Sequence, residues 1–212
     1  MFEKRGTCKM GRLFSRKAAL RLVLATLILL VLGAAGALLS VNGISERNDA
    51  FADSSTDTVN AQKMKVDASD ENAKQLYSKK AEDVNDTAAV ASLLETMKLE
   101  DAGGKYSATI KADGDTQVMT IALQNSVQKA QKKTIDKNME NCAEQIMALM
   151  PSVGRVEWTY SLISAKAEDE TVTMSLDEDA ASKQLSKDIR KYGKSERAFK
   201  KLLTKQAAAD KK

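Results

Sequence analysis

Between Leu22 and Ser45 the chain carries no charged residue. Its apolar centre, LVLATLILLVLGAAGALLSV, runs from Leu22 to Val41. About 20 residues at about 1.5 Å each match the ~30 Å hydrocarbon layer of a bilayer. A helix inside a soluble domain keeps a polar side, so a run apolar on every side for this length predicts a membrane-spanning helix. Lys4, Arg5, Lys9, Arg12, Arg16, Lys17 and Arg21 precede it against Glu3 alone, while Glu46, Arg47, Asp49 and Asp53 follow. Basic flanks stay on the cytoplasmic side, which predicts an N-terminus inside and the bulk of the chain outside. The membrane, met through Leu22 to Val41, is the first expected partner.

The run is longer than the 7–15 residues typical of a cleavable signal h-region, which favours a retained signal-anchor. The alternative is a secreted domain released by cleavage, since Ala35-Gly36-Ala37 and Ala50-Phe51-Ala52 are small-x-small sites. No L-x-x-C lipobox follows the segment. Gly33 and Ala37 form a small-xxx-small pair of the kind that lets two helices approach, a pattern common by chance.

Composition removes most familiar chemistry. The chain has no histidine, hence no His-based general base, no Ser-His-Asp or Cys-His arrangement and no imidazole metal ligand. Cys8 and Cys142 make neither a disulfide framework nor a zinc site, and the topology above puts them on opposite sides of the membrane. Cys142 is expected as a buried small hydrophobe. Only 4% of residues are aromatic, so the core must rest on Leu, Ile, Val, Met and Ala.

The expected organisation is a basic cytoplasmic tail (1–21), the membrane helix (22–41), a flexible polar linker (42–75), an extracytoplasmic domain (76–205) and a basic disordered tail (206–212). In the domain, Asn85 or Asp86 caps a helix carrying Val90, Leu93, Leu94 and Met97, ended near Gly103-Gly104. Two alternating stretches then flank Asp113-Gly114, a hairpin signal. A helix from about Lys133 to Met150 shows one apolar stripe: Ile135, Met139, Cys142, Ile146 and Leu149. Pro151 stops it. Val156, Trp158, Tyr160 and Leu162 alternate along a strand, and Val172, Met174 and Leu176 along its successor. Asp177 caps a third helix read through Ile189, Gly193 breaks it, and Ser195 opens a short last helix with Phe199, Leu202 and Leu203. The order α-ββ-α-ββ-α-α predicts an α+β fold: a two-layer domain with an antiparallel four-stranded sheet.

The stretches KNMENCAEQIMALMPSVGRVEWTY and KDIRKYGKSERAFKKLL, with VNDTAAVASLL near the start, resemble the domain-of-unknown-function family 4825 over roughly Leu76 to Lys205. Asp83 and Asn85 depart from it, standing where the family has an aromatic residue and a glycine. The resemblance implies a Gram-positive extracytoplasmic domain, also found at the C-terminus of β-lactam-sensor-type membrane metallopeptidases. The peptidase's H-E-x-x-H is impossible here without histidine.

The remaining signals are modest. Glu168-Asp169-Glu170 and Asp177-Glu178-Asp179 offer oxygens to a hard cation but lack the EF-hand pattern, and Asp113-Gly114-Asp115 reads as a turn. Gly103-Gly104-Lys105 lacks phosphate-loop spacing. Asn85-Asp86-Thr87 matches a glycosylation sequon but fits a helix cap. A carboxylate-only hydrolase would need two acids facing across an aromatic-lined cleft, and alternation puts Trp158 on the apolar side of its strand. From Lys183 onward, 11 basic residues meet Asp188, Glu196 and Asp210. Such a basic end suits anionic headgroups or wall polymers; it also suits the negative end of a helix dipole. The sequence therefore predicts no catalytic, cofactor-binding or metal residues. It predicts a non-enzymatic, membrane-anchored interaction or sensory module, with a membrane protein or an anionic envelope polymer as partner and no nucleic acid.

Overall fold

One helix of 18 residues and one strand of 11 organise the fold. In the computed structural model, residues 58, 61–163 and 170–210 are described. The expected cytoplasmic tail, membrane helix and most of the linker lie outside them. Among the described residues no helix is long and apolar enough to cross a membrane.

The elements are α1 (Asp70–Tyr77), α2 (Thr87–Thr96), α3 (Leu99–Gly103), β1 (Tyr106–Asp113), β2 (Thr116–Leu123), β3 (Val127–Gln128), α4 (Lys132–Leu149), β4 (Val153–Ile163), β5 (Glu170–Asp177), α5 (Glu178–Gln184), a 3-10 segment (Ile189–Lys194) and α6 (Glu196–Ala209). The α+β class is as read from the sequence. The sheet is not: it is mixed and has five strands, with β2 and β3 parallel to β4 and only β1–β2 and β4–β5 antiparallel.

The parallel pairing follows from length. β2 advances about 27 Å, at ~3.4 Å per residue. The 18 residues of α4 return about the same distance at 1.5 Å each. β4 therefore enters beside β2 in the same direction, the strand–helix–strand crossover that parallel pairing requires. β4 lies at the centre: β2 and then β3 pair along one of its edges, and β5 along the other.

Register places Met119 and Ile121 of β2, Val156, Trp158 and Tyr160 of β4, and Met174 and Leu176 of β5 on one face. That face carries the core and meets α4. The opposite face holds Thr109, Thr120, Glu157, Thr159 and Thr173.

α4 is more enclosed than its single apolar stripe predicts. Asn138, Asn141, Glu144 and Gln145, on its polar side, are also buried. Each is matched by something that covers it. Gln206 of α6 donates to Glu144 Oε2 (2.7 Å) and Asn141 O (2.9 Å), and accepts from Gln145 Nε2 (2.9 Å). Asn138 accepts from Met64 N–H (3.0 Å) and donates to Gln62 O and Ala102 O. Residues 61–69, read as linker, are thus strapped to α4, and Val66 is buried. α1, capped by Ser69, begins inside the segment assigned to the linker, and α6 runs through Gln206 to Ala209, past the expected end of the domain at 205. The described domain therefore extends from 61 to 210.

The helix expected from Asp177 through Ile189 ends early. Ser186 adopts φ 50, a left-handed turn, and Asp188 restarts the chain by accepting from Arg190 N–H (2.9 Å). The first helical region also breaks, at Lys98 (φ 54), which re-aims Leu99 into the core. Asp177 and Ser195 cap α5 and α6 as the sequence reads, and of the candidates Asn85 and Asp86 it is Asp86 that caps α2. Gly193 is fixed by space: a Cβ there would lie 1.7 Å from Ala148 O.

Candidate interaction surface

Charge is laid unevenly on this fold. The β1–β2 turn, the start of β4 and the β5–α5 junction converge on a hollow of about 350 Å³ lined by Asp113, Arg155, Asp177, Glu178 and Asp179. Two acidic signals separate in sequence, Asp113 and Asp177-Glu178-Asp179, are brought together here. Three of these four carboxylates already have partners. Arg155 donates to Asp113 Oδ2 (3.1 Å) and pairs with Glu157 (3.0 Å). Asp177 Oδ1 caps α5 by accepting from Ala180 N–H (2.7 Å). Glu178 Oε2 accepts from Arg190 (2.7 Å). Among the described residues no group of three or more acidic or cysteine side chains is arranged to hold a metal ion. Glu168 and Asp169 lie outside the described residues. Trp158 faces α4, away from this hollow, so the hollow has no aromatic platform for a sugar.

Arg190 is the link between this end and the core. Its guanidinium donates to Met147 O (2.8 Å), Met150 O (3.1 Å) and Val153 O (2.8 Å). These carbonyls close α4 and open β4, so the cation satisfies a helix C-terminus and complements its dipole.

A basic ledge begins just beyond. Lys183, Lys187, Lys194, Arg197 and Lys201 are all exposed along α5, the 3-10 segment and α6. The Lys187 ammonium lies 4.5 Å from the Tyr192 ring centroid, a cation–π contact that leaves its charge facing solvent.

Between α4, α6 and the end of α5 runs a groove of about 470 Å³ bordered by Lys137, Glu144, Leu185, Lys205 and Gln206. Burial pushes the Glu144 carboxyl above the usual glutamate range, opposed by the Gln206 hydrogen bond and by Lys137 and Lys205. Lys205 is itself held by the Leu185 carbonyl.

On the sheet side of α4, Asp136 Oδ1 accepts from Tyr160 OH (2.9 Å) and Trp158 Nε1 (3.2 Å), and Oδ2 from Lys132 (2.6 Å). The Asp136 hydrogen bond holds Lys132 above the ordinary lysine value, so it stays an ammonium. Burial first, then Asp136, pushes the Tyr160 phenol up to about 12. Cys142 is fully buried as expected, and burial pushes its thiol up to about 12, far from the thiolate a nucleophile needs. Cys8 lies outside the described residues.

Other sequence signals resolve into local structure. Gly103-Gly104-Lys105 is the junction of α3 and β1, with Gly104 at φ 85, and Asp86 of the sequon is the α2 cap. The polar contacts of Arg190, Asp136 and Gln206 escape sequence reading. The available signal for Gln206 is its place on the Phe199-Leu202-Leu203 stripe of α6, a polar group at a core position. Comparison of the chain with family models, curated proteins and solved structures gives no match.

Proposed function

We propose that the chain is a membrane-anchored interaction or sensory module of a Gram-positive envelope. A helix at Leu22 to Val41 holds it in the membrane with the N-terminus in the cytoplasm, and the α+β domain works outside. The observation that carries this reading is the uncharged run behind seven cations, because that pattern is costly to place anywhere but across a bilayer. The resemblance to the domain-of-unknown-function family 4825 supports the same side of the same kind of membrane.

We read the domain as one that binds and does not catalyse. The chain has no histidine. Cys142, Lys132 and Tyr160 are each held protonated, which leaves none of them as a ready nucleophile or base. Three of the carboxylates in the acidic hollow serve a cap or an ion pair. The reading calls for a membrane protein or an anionic envelope polymer as partner.

Fractionation of expressing cells, with the N-terminus and intact mass of the product, tests the anchor. Full-length protein in the membrane fraction supports it. A mature N-terminus at Leu38 or Asp53 in the medium or wall replaces it with a secreted domain. Cross-linking in native membranes tests the module, and failure to capture a specific partner counts against it.

A further inference from the structure

We propose that the basic ledge docks on an anionic lipid surface. The proposal rests on the anchored reading above and adds the surface that faces the membrane.

Between Lys183 and Lys201 the chain has eight Lys and Arg against Asp188 and Glu196. The fold absorbs three of the cations. Arg190 is spent on three carbonyls and Glu178, Lys200 on Asp70, and Lys191 sits 3.7 Å from Asp188. Lys183, Lys187, Lys194, Arg197 and Lys201 remain, all exposed, and among the described residues none of them forms an ion pair. Arg197 and Lys201 lie one turn apart on α6, opposite the buried Phe199, Leu202 and Leu203. Their charges are therefore open to solvent and to a partner from outside the fold.

The form of the surface selects the partner. A discrete anion needs donors converging on one point, yet neither the acidic hollow nor the Glu144 groove is lined by any of these five side chains. Four of the five are lysines, point charges on flexible stems. They suit a broad, fluid array of negative charge, and each cation near such a surface adds attraction that fades within a Debye length.

The test uses the full chain with Cys8→Ser and Thr204→Cys. Thr204 is exposed on α6, and the remaining Cys142 is fully buried, so a fluorophore attaches at position 204. The labelled chain is reconstituted in nanodiscs of phosphatidylcholine, alone or with one part in three phosphatidylglycerol, containing a nitroxide-headgroup quencher. The expected result is a gain of roughly tenfold in the docked-to-free ratio with phosphatidylglycerol, removed by high salt. Changing Lys183, Lys194, Arg197 and Lys201 to Gln removes most of that gain, with Lys187 left to supply the remainder. The pair Arg197→Gln and Lys201→Gln gives an intermediate loss, with Trp158 emission reporting the fold in both variants. Equal quenching in the two lipids, or full docking by the four-site variant, overturns the proposal. So does displacement by soluble polyglycerol phosphate at a lower phosphate concentration than the lipid presents, which would assign the ledge to a wall polymer. A chain that stays out of the discs overturns the anchored reading, and this proposal with it.

Discussion

Replacing Arg190 tests whether one buried cation joins the end of α4 to the start of β4. The guanidinium makes four hydrogen bonds, three of them to backbone carbonyls, and its side chain is only 21% exposed. A hydrogen bond to a charged group contributes about 1.5–3 kcal/mol where water is excluded. Partial exposure lowers this to about 1–1.5 kcal/mol for each carbonyl, because water can take the place of the lost donor. The Glu178 pair, with its carboxylate 36% exposed, adds less than about 1 kcal/mol. Arg190→Ala should therefore cost about 3–5 kcal/mol. Arg190→Lys should recover less than half, since one ammonium cannot span acceptors that the planar fork reaches together. Glu178→Gln should cost under about 1 kcal/mol. The assay is urea unfolding followed by Trp158, the only tryptophan and buried to 1% exposure. With a slope of about 2 kcal/mol per molar, the Ala variant's midpoint should fall by about 2 M. A midpoint loss under about 0.5 M, or a Glu178→Gln effect equal to that of Arg190→Ala, would refute the carbonyl clamp.

Three further outcomes follow from particular sites. Gly193→Ala drives a methyl into the Ala148 carbonyl at 1.7 Å and should cost about 3 kcal/mol or more, read as a melting temperature lower by about 10 °C; an unchanged melt would show that the 3-10 segment does not seat there. Ser186→Gly and Lys98→Gly each relieve a left-handed backbone and should each stabilise by about 0.5–1 kcal/mol, adding in the double variant because the sites share no partner; a loss at either position in urea unfolding contradicts the assigned conformation. Glu144 has a folded pKa above its unfolded value, so the folded state binds the proton more tightly. Stability from this group is present below the ordinary glutamate pKa and is lost as pH rises through the raised value. Glu144→Gln keeps an acceptor for Gln206 and should flatten that slope in urea midpoints measured across the same window; a parallel profile would remove Glu144 as its source.

How much of this was legible depends on whether a pattern is local. Caps are local. Asp86, Asp177 and Ser195 each stand where a hydroxyl or carboxylate meets an N–H three residues on; Asp177 and Ser195 read directly, and Asp86 as one of the pair Asn85 and Asp86. Strand alternation is local, so Trp158 and Tyr160 were placed on the apolar face. Strand direction is not local. Two helix–hairpin units look alike whether the sheets join antiparallel or parallel, and only the near-equal lengths of β2 and α4 decide it. The two-residue β3 is too short for any period. The enclosure of α4 is also non-local, since Asn138, Asn141, Glu144 and Gln145 read as a solvated side until Gln206 and the segment around Met64 are seen to cover them.

The same distinction bears on the surface. Asp113 and Asp177-Glu178-Asp179 are separate acidic signals in the sequence, and only the fold brings them to one hollow. The fold also assigns three of them to a cap and to ion pairs, which turns a suggestive cluster into a structural joint. The basic C-terminal run was legible as composition, whereas its division into absorbed and free cations was not. Arg190, Lys191 and Lys200 look like their neighbours in sequence, yet they are engaged by partners at Met147, Asp188 and Asp70. Net charge therefore overstates what the ledge offers a partner, and five exposed cations set the electrostatic footprint. Each of the five adds its own increment on an anionic surface, so neutralising Lys183, Lys194, Arg197 and Lys201 together should remove most of the docking. Neutralising Lys191, held beside Asp188, should remove less than any one of them.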